Sequence, residues 1–159
     1  MSKTGRLILL SAILFIGHFA LGSLISISGI SPDFFLLILL VFLTERSRKA
    51  MIFLGLFLGF IQDVSTGGWI GCLMLSKVIA AFLMKTLYNK DQPPSFFVYC
   101  LVLAFSMAVH EMFRLACLHP SFHDWAFNML RYGLPVTLYT TVAGSLIYPF
   151  LYPRNSEFD

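Results

Sequence analysis

Charge is scarce in this sequence. Only 12% of its 159 residues are Asp, Glu, Lys or Arg, while 58% are hydrophobic. A water-soluble domain of this length leaves much of its surface facing solvent and needs charge there, so the scarcity excludes a soluble globular fold. The mean hydropathy of +0.82 and the 17 Phe make lipid the medium for most of the chain. Clustered Lys and Arg are also lacking. The net charge of +3 comes from residues in short loops and near span ends, where topology and lipid head groups account for them better than nucleic acid does. Only three cysteines occur, Cys72, Cys100 and Cys117, each alone in an apolar segment. Without a C-x-x-C spacing they imply neither a zinc knuckle nor a redox pair, and they act as small hydrophobes. No phosphate-cradling loop, no nucleophile with a base at fixed spacing and no second acid beside Asp63 are present. Catalysis therefore has no candidate residues, and no cofactor or metal is expected.

What is present is a series of apolar runs. They are continuous rather than alternating, which favours helices over a barrel. Taking about 20 helical residues per crossing, the sequence predicts an all-α integral membrane protein, residues 1–159 forming a single polytopic domain of about six spans. The spans lie near residues 7–27, 30–43, 51–62, 69–87, 96–118 and 129–152. Lys3 and Arg6 before Leu7–Ile16 imitate a signal peptide, but the apolar run continues to Ile30 and favours an uncleaved anchor. The second and third segments are too short to cross upright. Either they thin or only partly enter the bilayer, or neighbouring helices shield their polar ends.

Lys3 and Arg6, then Arg46, Arg48 and Lys49, then Lys85 and Lys90, and finally Arg154 fall on one side of a six-span chain. The alternate loops, 28–33, 63–68 and 119–128, contain no Lys or Arg. The excess of positive charge on cytoplasmic loops then predicts both termini in the cytoplasm. Trp69 and Trp125 both fall at the predicted outer interface, as an aromatic belt requires.

The centre of the chain carries the most pattern. Pro32 suits the first turn of a helix, where no amide donor is needed, and Asp33 suits the positive end of its dipole. Further on, Gly55 with Gly59 and Gly67 with Gly71 form two small-x-x-x-small pairs, which let helix backbones approach closely in lipid. Between them, Ser65 or Thr66 is a candidate N-cap for the fourth helix, and Gly67 and Gly68 allow a tight turn. Asp63 reads either as a carboxylate capping that helix or as a group contacting a ligand or partner at the outer face.

A short apolar helix opened by Pro-Asp, a basic turn, and then G-x-x-x-G-x-x-x-D-x-x-[ST]-G-x-x-[LI]-G resembles the MreD family. The matching positions are Pro32, Asp33, Gly55, Gly59, Asp63, Thr66, Gly67, Ile70 and Gly71. The resemblance implies a non-enzymatic component of the bacterial cell-elongation machinery in the inner membrane. Its implied partners are the membrane-anchored MreC and, through it, the actin-like MreB and the peptidoglycan polymerase and transpeptidase. That family is also similar in fold to the substrate-binding subunits of energy-coupling-factor vitamin transporters, which supplies an alternative function. Such a subunit should carry an A-x-x-x-A pair on the first helix. Residues 11–22 hold Ala12 and Ala20 but no such pair.

Charges inside spans cost several kcal/mol unless paired or wet. Lys77 and Glu111 are predicted at similar depth in the outer half, with Arg114 three residues beyond Glu111 on the same helix face. A cluster of Lys77, His110, Glu111 and Arg114 follows, with Arg131 entering near the same side. It reads as an ion-pair network joining helices four and five, as a surface for a partner's transmembrane helix, or as a small-molecule pocket. His110-Glu111-Met112-Phe113-Arg114 imitates the H-E-x-x-H zinc helix, but Arg114 stands where the second ligand belongs and would repel the metal. His119, His123 and Asp124 have spacing compatible with a metal, yet exposed loop histidines ordinarily bind none. His18 is expected as a hydrogen-bonded packing residue.

Overall fold

A computed structural model of the chain describes residues 3–21, 24–27, 29–67, 69–88, 94–118 and 121–152. Their regular structure is helical, apart from an isolated backbone bridge between Ile27 and Ile30. The helices are α1 (Lys3–Leu21), α2 (Phe34–Val41), α3 (Arg48–Thr66), α4 (Cys72–Leu87), α5 (Phe96–Leu118), α6 (Phe122–Asn128) and α7 (Leu134–Leu151). A π-helical turn, Met129–Gly133, joins α6 to α7 into one 30-residue rod. Pro135 in the first turn of α7 has no amide to donate, and widening the preceding turn accommodates the lost bond. Three elements are long and apolar enough to cross a membrane: Arg48–Thr66, Phe96–Leu118 and Phe122–Leu151. The apolar part of α1, Gly5–Ala20, is shorter.

The short second segment is resolved by burial. α2 is apolar on every side, and Phe35, Leu36, Leu37, Ile38, Leu39, Leu40 and Val41 are all buried. A helix without a polar face must be surrounded, and α1, α3, α4 and α7 all touch it. At 1.5 Å per residue its eight residues reach only about 12 Å, so its ends fall inside the protein. Two lysines of α4 meet them. Lys77 Nζ lies 2.5 Å from Asp33 Oδ2 at the N-terminal end, and Lys85 Nζ donates to Leu43 O at 3.0 Å just past the other. An anion at a helix start and a cation at its end both complement the helix dipole. Eight residues separate the two lysines, the same length as α2, and α4 runs parallel to it. Lys85, placed by the sequence in a polar loop, is in fact buried at 3% exposure in the last turn of α4.

The third segment differs in the other direction. It is a full 19-residue helix that carries Asp63 inside its last turn, rather than a short span with Asp63 beyond it. Ser47 caps its start through Ala50 N, which adds a first turn of Arg48, Lys49 and Ala50 to the apolar run. α3 lies antiparallel against α4 along Gly55 and Gly59. A Cβ on Gly59 would stand 2.5 Å from Met74 Cα and 2.8 Å from Leu73 O. One on Gly55 would stand 2.9 Å from Lys77 O. The second glycine pair does something else. Gly67 and Gly71 have φ of +62° and +106° and nothing near their absent side chains, so they form the turn rather than a helix contact.

Outside this core the molecule presents large apolar side chains. Phe53, Phe57 and Phe60 of α3, Phe97, Leu101 and Phe105 of α5, and Leu138, Val142, Leu146 and Phe150 of α7 are all exposed. A soluble protein does not expose apolar surface on this scale, whereas a bilayer solvates it.

Candidate functional site

The helices leave a cavity of about 200 Å³ at the end of the bundle opposite Arg46, Arg48 and Lys49. Its floor holds Asp33, His110 and Glu111, and its rim includes His18, Gln62, Thr66 and Arg114. Three helices bring the charged groups together. Asp33 is the N-cap of α2, its Oδ1 accepting from Leu36 N at 3.0 Å, and its own N–H donates to Thr140 Oγ1 of α7 at 3.0 Å. Pro32 precedes this cap, so it does not occupy the first helical turn. Its fixed φ sets the direction in which the chain enters.

Lys77 is fully buried and shares Asp33 with His110, whose Nε2 lies 3.3 Å from Nζ and 3.7 Å from Asp33 Oδ2. An ammonium has only donors, so Nε2 accepts from it and Nδ1 carries the imidazole proton. Nδ1 sits 3.4 Å from Glu111 Oε1, the acceptor nearest to its proton. Glu111 binds Arg114 through both carboxylate oxygens, the shortest contact being 2.6 Å to Nη2. The expected cluster of Lys77, His110, Glu111 and Arg114 is thus assembled, but its pairing differs. The carboxylate for Lys77 is Asp33, 44 residues away, and not Glu111, which Arg114 claims one turn along α5. Arg131 is not part of it. Its guanidinium lies over Phe127 and Tyr132, 5.9 and 5.3 Å from the ring centroids, and it is exposed.

Asp63 is a separate anchor at the same end. Though on α3, its carboxylate accepts from Gly71 N (2.8 Å), Leu73 N (3.0 Å) and Met74 N (3.1 Å), the free amides at the start of α4. The N-cap of α4 is Gly71, which has no side chain to do this. Ser65 and Thr66, expected as caps there, instead bond backward to carbonyls of α3: Ser65 to Ile61 O and Thr66 to Gln62 O. Asp63→Ala would leave three amides without an acceptor. The expected loss is about 2–3 kcal/mol in thermal unfolding of the detergent-purified protein, with Asp63→Asn retaining part of it.

Lys85, Thr140 and Gln62 do not stand out in the sequence as members of a site. The eight-residue spacing of Lys77 and Lys85 facing a short all-apolar segment is the available signal for the first. His18 packs through its ring, 4.3 Å from Phe35 and 5.0 Å from Phe19, on the cavity rim. Among the described residues no group of His, Cys, Asp or Glu is arranged to hold a metal. His123 and Asp124 are exposed on α6, while Gly68, Lys90, His119 and Arg154 lie outside the described residues.

The glycine-packed α3–α4 pair, the Asp63 anchor and the buried Asp33 together reproduce in space the pattern that the sequence carries between Pro32 and Gly71. A family model for rod shape-determining protein MreD matches residues 3–153. The chain belongs to the MreD family. Neither the curated proteins nor the solved structures contain a match. Membership makes the chain a membrane protein with a role in rod shape determination. The transporter-subunit alternative draws no support from these comparisons. The MreD match extends well past the central motif and includes α5, α6 and α7, so the polar cavity lies wholly within the matched region.

Proposed function

We propose that this chain is a non-enzymatic scaffold of the cell-elongation complex in the bacterial cytoplasmic membrane. It crosses the bilayer six times as a single polytopic domain, with both termini in the cytoplasm. It contacts MreC, and through MreC it reaches MreB and the peptidoglycan polymerase and transpeptidase. The family match over residues 3–153 is the observation that carries this reading. The charge pattern supports the orientation, since Arg46, Arg48 and Lys49 lie together at the end away from the cavity. Short α2 fits six crossings because neighbouring helices surround it and α4 places a buried lysine at each of its ends.

Depleting the protein in its rod-shaped host should give rounded, widened cells, and affinity capture from gently solubilised membranes should recover MreC. Rods of normal width after depletion would count decisively against the assignment. Reporter fusions after Tyr152 should be active on the cytoplasmic side, and periplasmic activity would overturn the orientation.

A further inference from the structure

The polar cavity is larger than its own residues require. Asp33, Glu111 and Arg114 line it, with fully buried Lys77 paired to Asp33 behind the wall, and the charges of the two ion pairs cancel. Yet their bonding capacity is not used up. Arg114 is 26% exposed and commits only Nε and Nη2 to Glu111, leaving guanidinium N–H groups at the mouth. His110, at 1% exposure, has its Nδ1 against Glu111 Oε1 at 3.4 Å, so the open donors are those of Arg114. Each carboxylate oxygen accepts at two positions, so Asp33 and Glu111 retain acceptor capacity beside the cavity.

We propose that this cavity binds a small zwitterion, its anionic oxygens on the free donors of Arg114 and its ammonium toward the Glu111 and Asp33 carboxylates. Net charge excludes the simpler ligands. A lone anion or cation would add an uncompensated charge to a balanced, half-enclosed site, and an apolar ligand would cover the open Arg114 donors without replacing their water. Size sets a further limit. About 200 Å³ is below the roughly 300–1,000 Å³ of sites for drug-sized molecules, which fits a head group or a solute of that size. Depth agrees. Trp69 is exposed next to the start of α4, and Trp125 donates to Met112 O beside Glu111, so interfacial tryptophans stand at the level of the cavity. The shared chemistry is a phosphodiester with a primary ammonium, neutral overall, carried by an ethanolamine lipid or by free glycerophosphoethanolamine.

The full-length protein in nanodiscs of mixed phosphatidylethanolamine and phosphatidylglycerol tests this by native mass spectrometry. Thermal unfolding in detergent with glycerophosphoethanolamine, inorganic phosphate, ethylamine or glycerol tests it in parallel. Retention of the ethanolamine lipid over phosphatidylglycerol by about tenfold would place the zwitterion on a lipid. Stabilisation by glycerophosphoethanolamine alone would place it on a solute. In either case Arg114→Met should abolish the preference and the exposed-site control Arg131→Gln should keep it. Should Arg114→Met fail to fold, Val136→Phe narrows the cavity without touching an ion pair and should have the same effect. No preference in both assays, equal stabilisation by phosphate, ethylamine or glycerol, or a preference that survives Val136→Phe would each overturn the proposal.

Discussion

Lys77→Met should leave little folded protein in the membrane, and Asp33→Asn in the same chain should restore much of it. The single substitution leaves a carboxylate that is 7% exposed without its cation and removes the donor that meets the N-terminal end of α2. Breaking a buried pair from one side costs about 3–5 kcal/mol, a large part of the roughly 5–15 kcal/mol by which a domain is stable. The double variant removes both charges together. The amide side chain introduced by Asp33→Asn would still cap Leu36 N through its carbonyl oxygen, so the local start of α2 survives. Thermal unfolding of the detergent-purified variants and their yield on size exclusion provide the measurement. Equal stability of Lys77→Met and the parent protein would show that the ion pair does not hold α2 in place.

Gly59→Leu should be nearly as damaging, for a steric reason. The first atom of any side chain at residue 59 meets the backbone of α4 at Met74 and Leu73, and backbone cannot swing aside as a side chain does. The helices would have to separate. Overpacking ordinarily costs about 1–3 kcal/mol. Here the separation also draws Asp63, four residues along α3, away from the three amides it satisfies, so the expected loss exceeds that range. Gly59→Ala is expected to show a smaller fall in unfolding temperature. Phe60→Ala, one residue along and 46% exposed on the lipid side, should have little effect. If Gly59→Leu and Phe60→Ala behave alike, close approach at Gly59 is not a determinant of the fold.

Much of this is legible in the residues. Hydropathy locates the apolar segments, and the Gly55/Gly59 spacing announces a close helix pair because three and four residues bring positions onto one face. The same reasoning fails at Gly67/Gly71, where an identical spacing spans a turn. Only backbone dihedrals distinguish a packing glycine from one needed for positive φ. Asp63 reads as a carboxylate able to cap the fourth helix, and its three amides are those of that helix. Its placement inside α3 is not legible, since a polar residue closing an apolar run resembles a loop.

The sequence by itself determined the medium and the helical class, and its motif carried the family resemblance. These follow from composition and local periodicity, which each segment expresses without its neighbours. Tertiary structure alone decided the partner of each charge. Asp33 and Lys77 are separated by 44 residues, and α5 contained a nearer arginine for Glu111. The burial of α2, the two lysines at its ends and the open polar cavity depend in the same way on helix placement. Electrostatic pairing in a low-dielectric interior acts over a few ångströms of space, whatever the distance along the chain.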